Sequence, residues 1–145
     1  MTDQQTITRL ADRETCRRLA DQLVSFLETG TAPDGLFTDD VFCDFTMPLW
    51  RLQAEGRDAS VALRKNGHPG GGTVPRTRMD LTETGFLLEV EERWDHDGHS
   101  WYCRELMRCD VAPSGGVSQI SVYCTGDWDE DQVKRHAEAV TLTRP

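Results

Sequence analysis

Two long runs, FLLEVEERW and HSWYCRELMRC, are joined by Asp95-His96-Asp97-Gly98, and this hairpin signal constrains the fold more than anything else in the chain. An Asp-Gly pair favours the left-handed backbone of a tight turn, so the flanking runs return antiparallel. Further turn signals, Glu83-Thr84-Gly85 and Ser114-Gly115-Gly116, separate four strand candidates between Val74 and Tyr123. The spacing predicts an antiparallel meander long enough to curve. Side chains alternate along a strand, so an inward Glu105 also turns His99, Trp101, Cys103, Met107 and Cys109 inward. The preceding run presents Phe86, Leu88, Val90, Glu92 and Trp94 as its more apolar row, and the last strand presents Ile120, Val122 and Cys124.

The first part of the chain reads differently. Between Asp12 and Glu28, Cys16, Leu19, Ala20, Leu23, Phe26 and Leu27 recur at spacings of three and four, with Gly30 as a stop, which predicts an amphipathic helix. Pro33 opens a short turn of helix through Phe37, Asp39 and Asp40 make a turn, and Val41 to Thr46 are β-prone before Pro48 interrupts. Trp50 and Leu52 extend that pairing. A second helix is predicted over Asp58 to Lys65, ending at NGH and the PGGG loop, and a polar terminal helix over Asp129 to Val140. Helices first and a meander afterwards imply an α+β fold, a curved antiparallel sheet wrapped around N-terminal helices to make a cone-shaped barrel.

The 145 residues suit a single domain over 1–145, large enough to bury about two thirds of the unfolded surface. Sixteen basic against 25 acidic residues give a charge of -9, which argues against nucleic acid or an anionic membrane as partner and for a small molecule. The N-terminus MTDQQTITRLADRETCRR has no apolar leader core, and no run approaches the roughly 18 apolar residues of a membrane span, so a cytoplasmic protein is expected. The five cysteines are odd in number, widely spaced and without C-x-x-C. They are expected to be reduced and mostly buried, with no metal or cofactor, and Cys103 and Cys124 stand as weak nucleophile candidates.

Three acids carry the candidate chemistry. Asp44 sits beside Phe42 and Phe45, where burial would raise its pKa; it reads either as a base or as an Asp satisfied by backbone N–H groups at a strand end. Glu92 and Glu105 fall in the inward rows. Asp44, Glu92 and Glu105, ringed by Phe42, Trp94 and Trp101, would make a concave apolar pocket with a few convergent polar groups, Cys103 and Cys124 included. One carboxylate could take a proton alpha to a carbonyl while a neighbour kept neutral by its apolar site gives one to the oxygen. Enolate-forming isomerisation and intramolecular cyclisation both need such a pair. The structural alternative pairs Glu92 with Arg104 or Arg93 and lets the tryptophans fill the cone. His68, in the glycine-rich NGHPGGG loop, is a further acid or base if that loop covers the pocket mouth and is otherwise part of a connector; His96 and His136 read as surface groups, and His99 either as one or as part of the inner rim.

The order helix, LFTDDVFCDF strand, helix near GRDA and meander ending ISVYC resembles the nuclear transport factor 2-like fold of ketosteroid isomerases and SnoaL-like polyketide cyclases. The likeness spans about Leu19 to Trp128. It implies Asp44 in VFCDF as general base and Glu105 in RELMRC as an acid kept protonated to donate to an enolate, with Glu where those isomerases have Asp. Their helix-borne tyrosine would lie near Leu23, but the first tyrosine here is Tyr102, which favours a SnoaL-like relative over steroid isomerisation. The resemblance further implies a homodimer packed through the outer sheet face, and a cofactor-free isomerase or cyclase acting on an apolar, carbonyl-bearing intermediate of specialised metabolism. The superfamily also holds epoxide hydrolases, dehydratases and non-catalytic binding modules, which remain the alternatives.

Overall fold

The structure, a computed structural model, describes residues 11–145. The reading of the first ten residues as free of an apolar leader lies outside them. Helix α1 is Arg13–Thr29. It starts where the Asp12 carboxylate accepts the Thr15 N–H at 2.8 Å and stops at Gly30, whose φ of 77° lets its N–H reach the Phe26 carbonyl. The predicted stripe from Cys16 to Leu27 is its buried face.

Strands β1 (Phe37–Thr46) and β2 (Arg51–Glu55) lead into helix α2 (Arg57–Gly67). Strands β3 (Thr73–Leu81), β4 (Gly85–His96), β5 (His99–Val111) and β6 (Val117–Cys124) follow, and helix α3 (Glu130–Ala139) comes last. The sheet order is β2-β1-β6-β5-β4-β3. Every pair is antiparallel except β1 with β6, which run parallel, so the curved sheet is mixed and does not close. That parallel pair is a difference from the predicted meander, because β1 is brought beside β6 from the far end of the sequence.

At the hairpin Asp97 and Gly98 take φ values of 53° and 77°, and His96 pairs with His99. The two-residue turn fixes the register, so Phe86, Leu88, Val90, Glu92 and Trp94 lie opposite Cys109, Met107, Glu105, Cys103 and Trp101 on one face, as the alternation predicts. Of these, Phe86, Leu88, Val90, Met107 and Cys109 form the core with Leu19, Leu23 and Leu36, where complete burial of a leucine or phenylalanine contributes about 1.5–3 kcal/mol.

Two local expectations differ. After Pro33 the chain makes a turn rather than a short helix, and Asp39 and Asp40 lie within β1 as exposed residues. Here Phe37 pairs with Val117 but Phe42 with Gln119, so β1 carries extra residues in a bulge. Beyond the bulge Val41, Cys43 and Phe45 face inward while Phe42 and Asp44 face out.

The PGGG loop ends in two closely packed glycines, Gly71 and Gly72. Gly72 N–H donates to the Glu28 carbonyl at 3.0 Å, and a Cβ at Gly72 would stand 2.5 Å from the Arg93 carbonyl oxygen. Only glycine allows that approach between α1 and β4. Gly72→Ala is expected to lower stability by about 1–3 kcal/mol through overpacking, read as a lower urea midpoint with an unchanged m-value.

Candidate functional site

The site is built where α2 packs against β1 and β2. Ser60, Leu63, Arg64 and Gly67 recur at helical spacing and share the face of α2 turned toward the sheet. They border two cavities that share Phe45, Leu63 and Arg64 as walls. The inner one, about 40 Å³, lies among Leu23, Phe26, Ser60, Glu105 and Met107. The outer one, about 310 Å³, is bordered by Met47, Leu52, His68, Cys124 and Asp127 and forms the mouth.

Glu105, on the wall of the inner cavity, and Glu92 beside it are buried carboxyls, each 3 % exposed. Arg64 clamps Glu92 with both guanidinium ends, Nη2 to Oε1 at 2.5 Å and Nη1 to Oε2 at 3.1 Å, and Nη2 also donates to the Leu27 carbonyl at 3.0 Å. Burial alone would push Glu92 up. The hydrogen bond from Glu105 and the contacts of Arg64 outweigh it and hold Glu92 below the usual carboxylate range, hence ionised. Glu105 is driven well above its ordinary value, first by burial and then by the neighbouring Glu92 charge, so it stays neutral and carries the shared proton. One of its oxygens, Oε1, is buried without a hydrogen-bond partner, as is the Ser60 hydroxyl on the same inner cavity.

The two carboxyls act on stability in opposite directions. Glu92 has a lowered folded pKa, so its contribution is present above the ordinary value of 4.5 and is lost as pH falls through the folded value. Glu105 has a raised one, so above 4.5 the folded chain still holds a proton that the unfolded chain has released, and stability falls as pH rises toward the folded value. Glu105→Gln is therefore expected to remove part of the decline in stability from mildly acidic to alkaline pH. Urea titrations of both proteins across that range check it; identical slopes would mean that Glu105 is ionised.

His68 stands over this pair. Its ring stacks on Trp94 at 4.0 Å between centroids, its Nε2 lies 3.3 Å from Asp127 Oδ1, and its buried Nδ1 lies 3.9 Å from Glu92 Oε1. Trp94 in turn stacks on Trp101 at 6.5 Å. The tryptophans thus back His68, and border a shallower surface hollow with Gly71 and Gly72, rather than walling the two cavities. Cys103 Sγ lies 3.8 Å from Glu92 Oε2 behind the inner cavity, and Cys124 borders the outer one.

Asp44 and Phe42 lie apart from this group. Asp44 pairs across the sheet with Gln53 and Ser121 on the opposite face and makes a two-point contact with Arg51, at 3.0 and 2.6 Å. The Arg51 hydrogen bonds lower its pKa. A one-residue change of parity in β1 accounts for this placement, and the signal for it was available: Val41, Cys43 and Phe45 are uniformly apolar, whereas the alternate row contains Asp44 and Thr46. Arg64 has no counterpart among the residues singled out from sequence. Glu92 pairs with it, rather than with Arg93 or Arg104, and the spacing of Ser60, Arg64 and Gly67 on one helix face was the available signal.

No family model matches the sequence, and comparison with curated proteins found no match. Solved structures do match. An NTF2-like protein from Anabaena variabilis superimposes with a TM-score of 0.66 at 16% identity, covering 79% of this chain and 89% of that one. The fold is that of the nuclear transport factor 2-like proteins. An LEH-like epoxide hydrolase from M. tuberculosis matches this chain with a TM-score of 0.60 at 13% identity, over 77% of this chain and 83% of that one. A candidate ketosteroid isomerase from Kribbella flavida matches at 0.57 and 18% identity, over 91% and 92%. Among the described residues, no helix is long and apolar enough to cross a membrane.

Proposed function

We propose that this NTF2-like protein is a cofactor-free enzyme that works by carboxyl acid–base chemistry on a small, largely apolar molecule bearing a carbonyl oxygen, in the manner of an isomerase or cyclase of specialised metabolism. The observation that carries the reading is Glu105, buried on the wall of an apolar cavity with one oxygen unpartnered, beside a buried Glu92 that Arg64 clamps. Adjacent titratable groups pushed apart in pKa are the usual form of an acid–base assignment.

In this reading Glu105 is the acid that donates toward the substrate oxygen as negative charge develops there. Glu92, fixed by Arg64, takes up the hydrogen-bonding change when that proton moves. The base is His68, which borders the outer cavity and is oriented by Asp127. It takes a proton from the carbon alpha to the carbonyl and returns it elsewhere on the molecule for isomerisation; for cyclisation, the enolate carbon attacks a second carbonyl within the same molecule. A homodimer through the outer face belongs to the same reading. Leu106 and Tyr123 pair across β5 and β6 there and are 42% and 57% exposed; light scattering on the purified protein tests it.

A second reading, hydration of an epoxide, is favoured by one observation. The inner cavity of about 40 Å³ presents two buried polar oxygens without partners, Ser60 Oγ and Glu105 Oε1, and such a space suits an ordered water. The test is a panel of small cyclic β,γ-unsaturated ketones, diketones and epoxides, followed by NMR in deuterated and oxygen-labelled water. Deuterium at carbon without labelled oxygen supports isomerisation or cyclisation, labelled oxygen in the product supports hydration, and no turnover of any compound overturns the enzyme reading in favour of a binding module. Asp44→Asn is expected to leave turnover at the wild-type rate, because its carboxylate lies on the other face; a large loss would return Asp44 to the site.

A further inference from the structure

Cys103 and Cys124 have no part in that chemistry, yet they are placed together at its edge. Their sulfurs and a Glu105 carboxyl oxygen all lie within 4.8 Å of one another. Both residues sit on the inward face of adjacent strands, since Cys124 pairs directly with Glu105 and Cys103 is the next inward residue of β5. Among the described residues Cys124 is the one half-buried cysteine, the others being buried, and it borders the outer cavity. The Gly126 N–H donates to its sulfur at 3.3 Å, which favours a thiolate there.

We propose that Cys124 and Cys103 form an oxidisable thiol pair, in which hydrogen peroxide entering the outer cavity oxidises Cys124 and Cys103 then closes a disulfide with it. The groups facing the pair are consistent with this division of labour. The Cys103 thiol donates to Cys124 and the Gly126 N–H adds to that support, so Cys124 is the more acidic thiol even though burial, Asp127 and Glu92 oppose its ionisation. Cys103 is held protonated by the same hydrogen bond, by burial and by the charge of Glu92.

In the first step the Cys124 thiolate attacks the peroxide. A sulfur–oxygen bond forms, the oxygen–oxygen bond breaks, and sulfur loses two electrons to the departing hydroxide. In the second, the Cys103 sulfur attacks the Cys124 sulfenic acid, the sulfur–sulfur bond forms, the sulfur–oxygen bond breaks, and the Cys103 proton leaves with the hydroxide as water. The sum is two thiols and one peroxide giving one disulfide and two waters, and a dithiol reductant reverses it. Closing the bond to about 2.05 Å requires the last residue of β6 to move inward. It is followed by Thr125 and by Gly126, at a φ of 85°, where the strand has ended. The disulfide removes the thiol that faces Glu92 and narrows the cavity wall beside Glu105.

The experiment treats the reduced, folded protein with one equivalent of hydrogen peroxide, alkylates the remaining thiols, digests with trypsin and maps the products by mass spectrometry. The expected result is a cross-link between peptides 94–104 and 109–134, assigned by fragmentation to Cys103 and Cys124, and lost on adding dithiothreitol. In Cys103→Ser the expected product is a Cys124 sulfenic acid captured by dimedone, and in Cys124→Ser the cross-link is absent. A cross-link through Cys109 instead, oxidation of Cys124 straight to the sulfinic acid in the wild type, or no reaction of Cys124 overturns the proposal. The wild-type map decides the matter without either variant, and it requires no turnover of any substrate.

Discussion

Arg64→Met is expected to destabilise the fold by about 3–5 kcal/mol, because it leaves Glu92 as a buried carboxylate without its cation. The guanidinium side chain is 11% exposed and the Glu92 side chain 4%, so solvent screens little of the interaction. Methionine keeps much of the apolar stem, which separates the missing charge from a missing volume. Arg64→Lys is expected to fall between the two, since a point charge cannot reach both carboxylate oxygens and the Leu27 carbonyl at once. The double variant Arg64→Met, Glu92→Leu is expected to recover most of the loss, because an apolar pair of similar volume carries no desolvated charge. Urea unfolding of the four proteins checks this. A single variant as stable as the wild type would show that Glu92 is solvated or protonated.

Glu105→Gln is expected to lower kcat by about 10²–10⁴-fold on whichever compound of the panel is turned over, the usual range for loss of a general acid. Glutamine keeps the shape and a hydrogen-bond donor toward Glu92, so the fold is expected to survive with stability near or above that of the wild type at neutral pH. The measurement is kcat and KM by NMR or absorbance at a pH where the wild type is stable. A fall in kcat with KM nearly constant fits an acid acting in the transition state. Full activity in this variant would remove Glu105 from the mechanism and leave a pocket shaped by packing alone.

The sequence was most legible where one short-range rule acts over many residues. The face of α1 follows from its spacing of threes and fours and its Gly30 stop, and the inward rows of β4 and β5 follow from alternation once the Asp97-Gly98 turn has pinned their register. Glu92, Glu105, Cys103 and Cys124 were placed on one face by that rule alone. It failed at β1, where a bulge at Asp39 and Asp40 and pairing with a strand about seventy-five residues later set the parity that sends Asp44 outward.

Local chemistry therefore determined which residues share a face: steric alternation in a strand, helical periodicity, and turn residues whose backbone preferences leave little choice. Tertiary structure decided which faces meet. Arg64 reaches Glu92 across a sequence separation of 28, and His68 reaches Asp127 across 59. A buried carboxylate must find a cation wherever the fold provides one, and no local pattern specifies which. That search, resolved by the packing of α2 on β1 and β2, turned two inward glutamates into one ionised and one neutral carboxyl group.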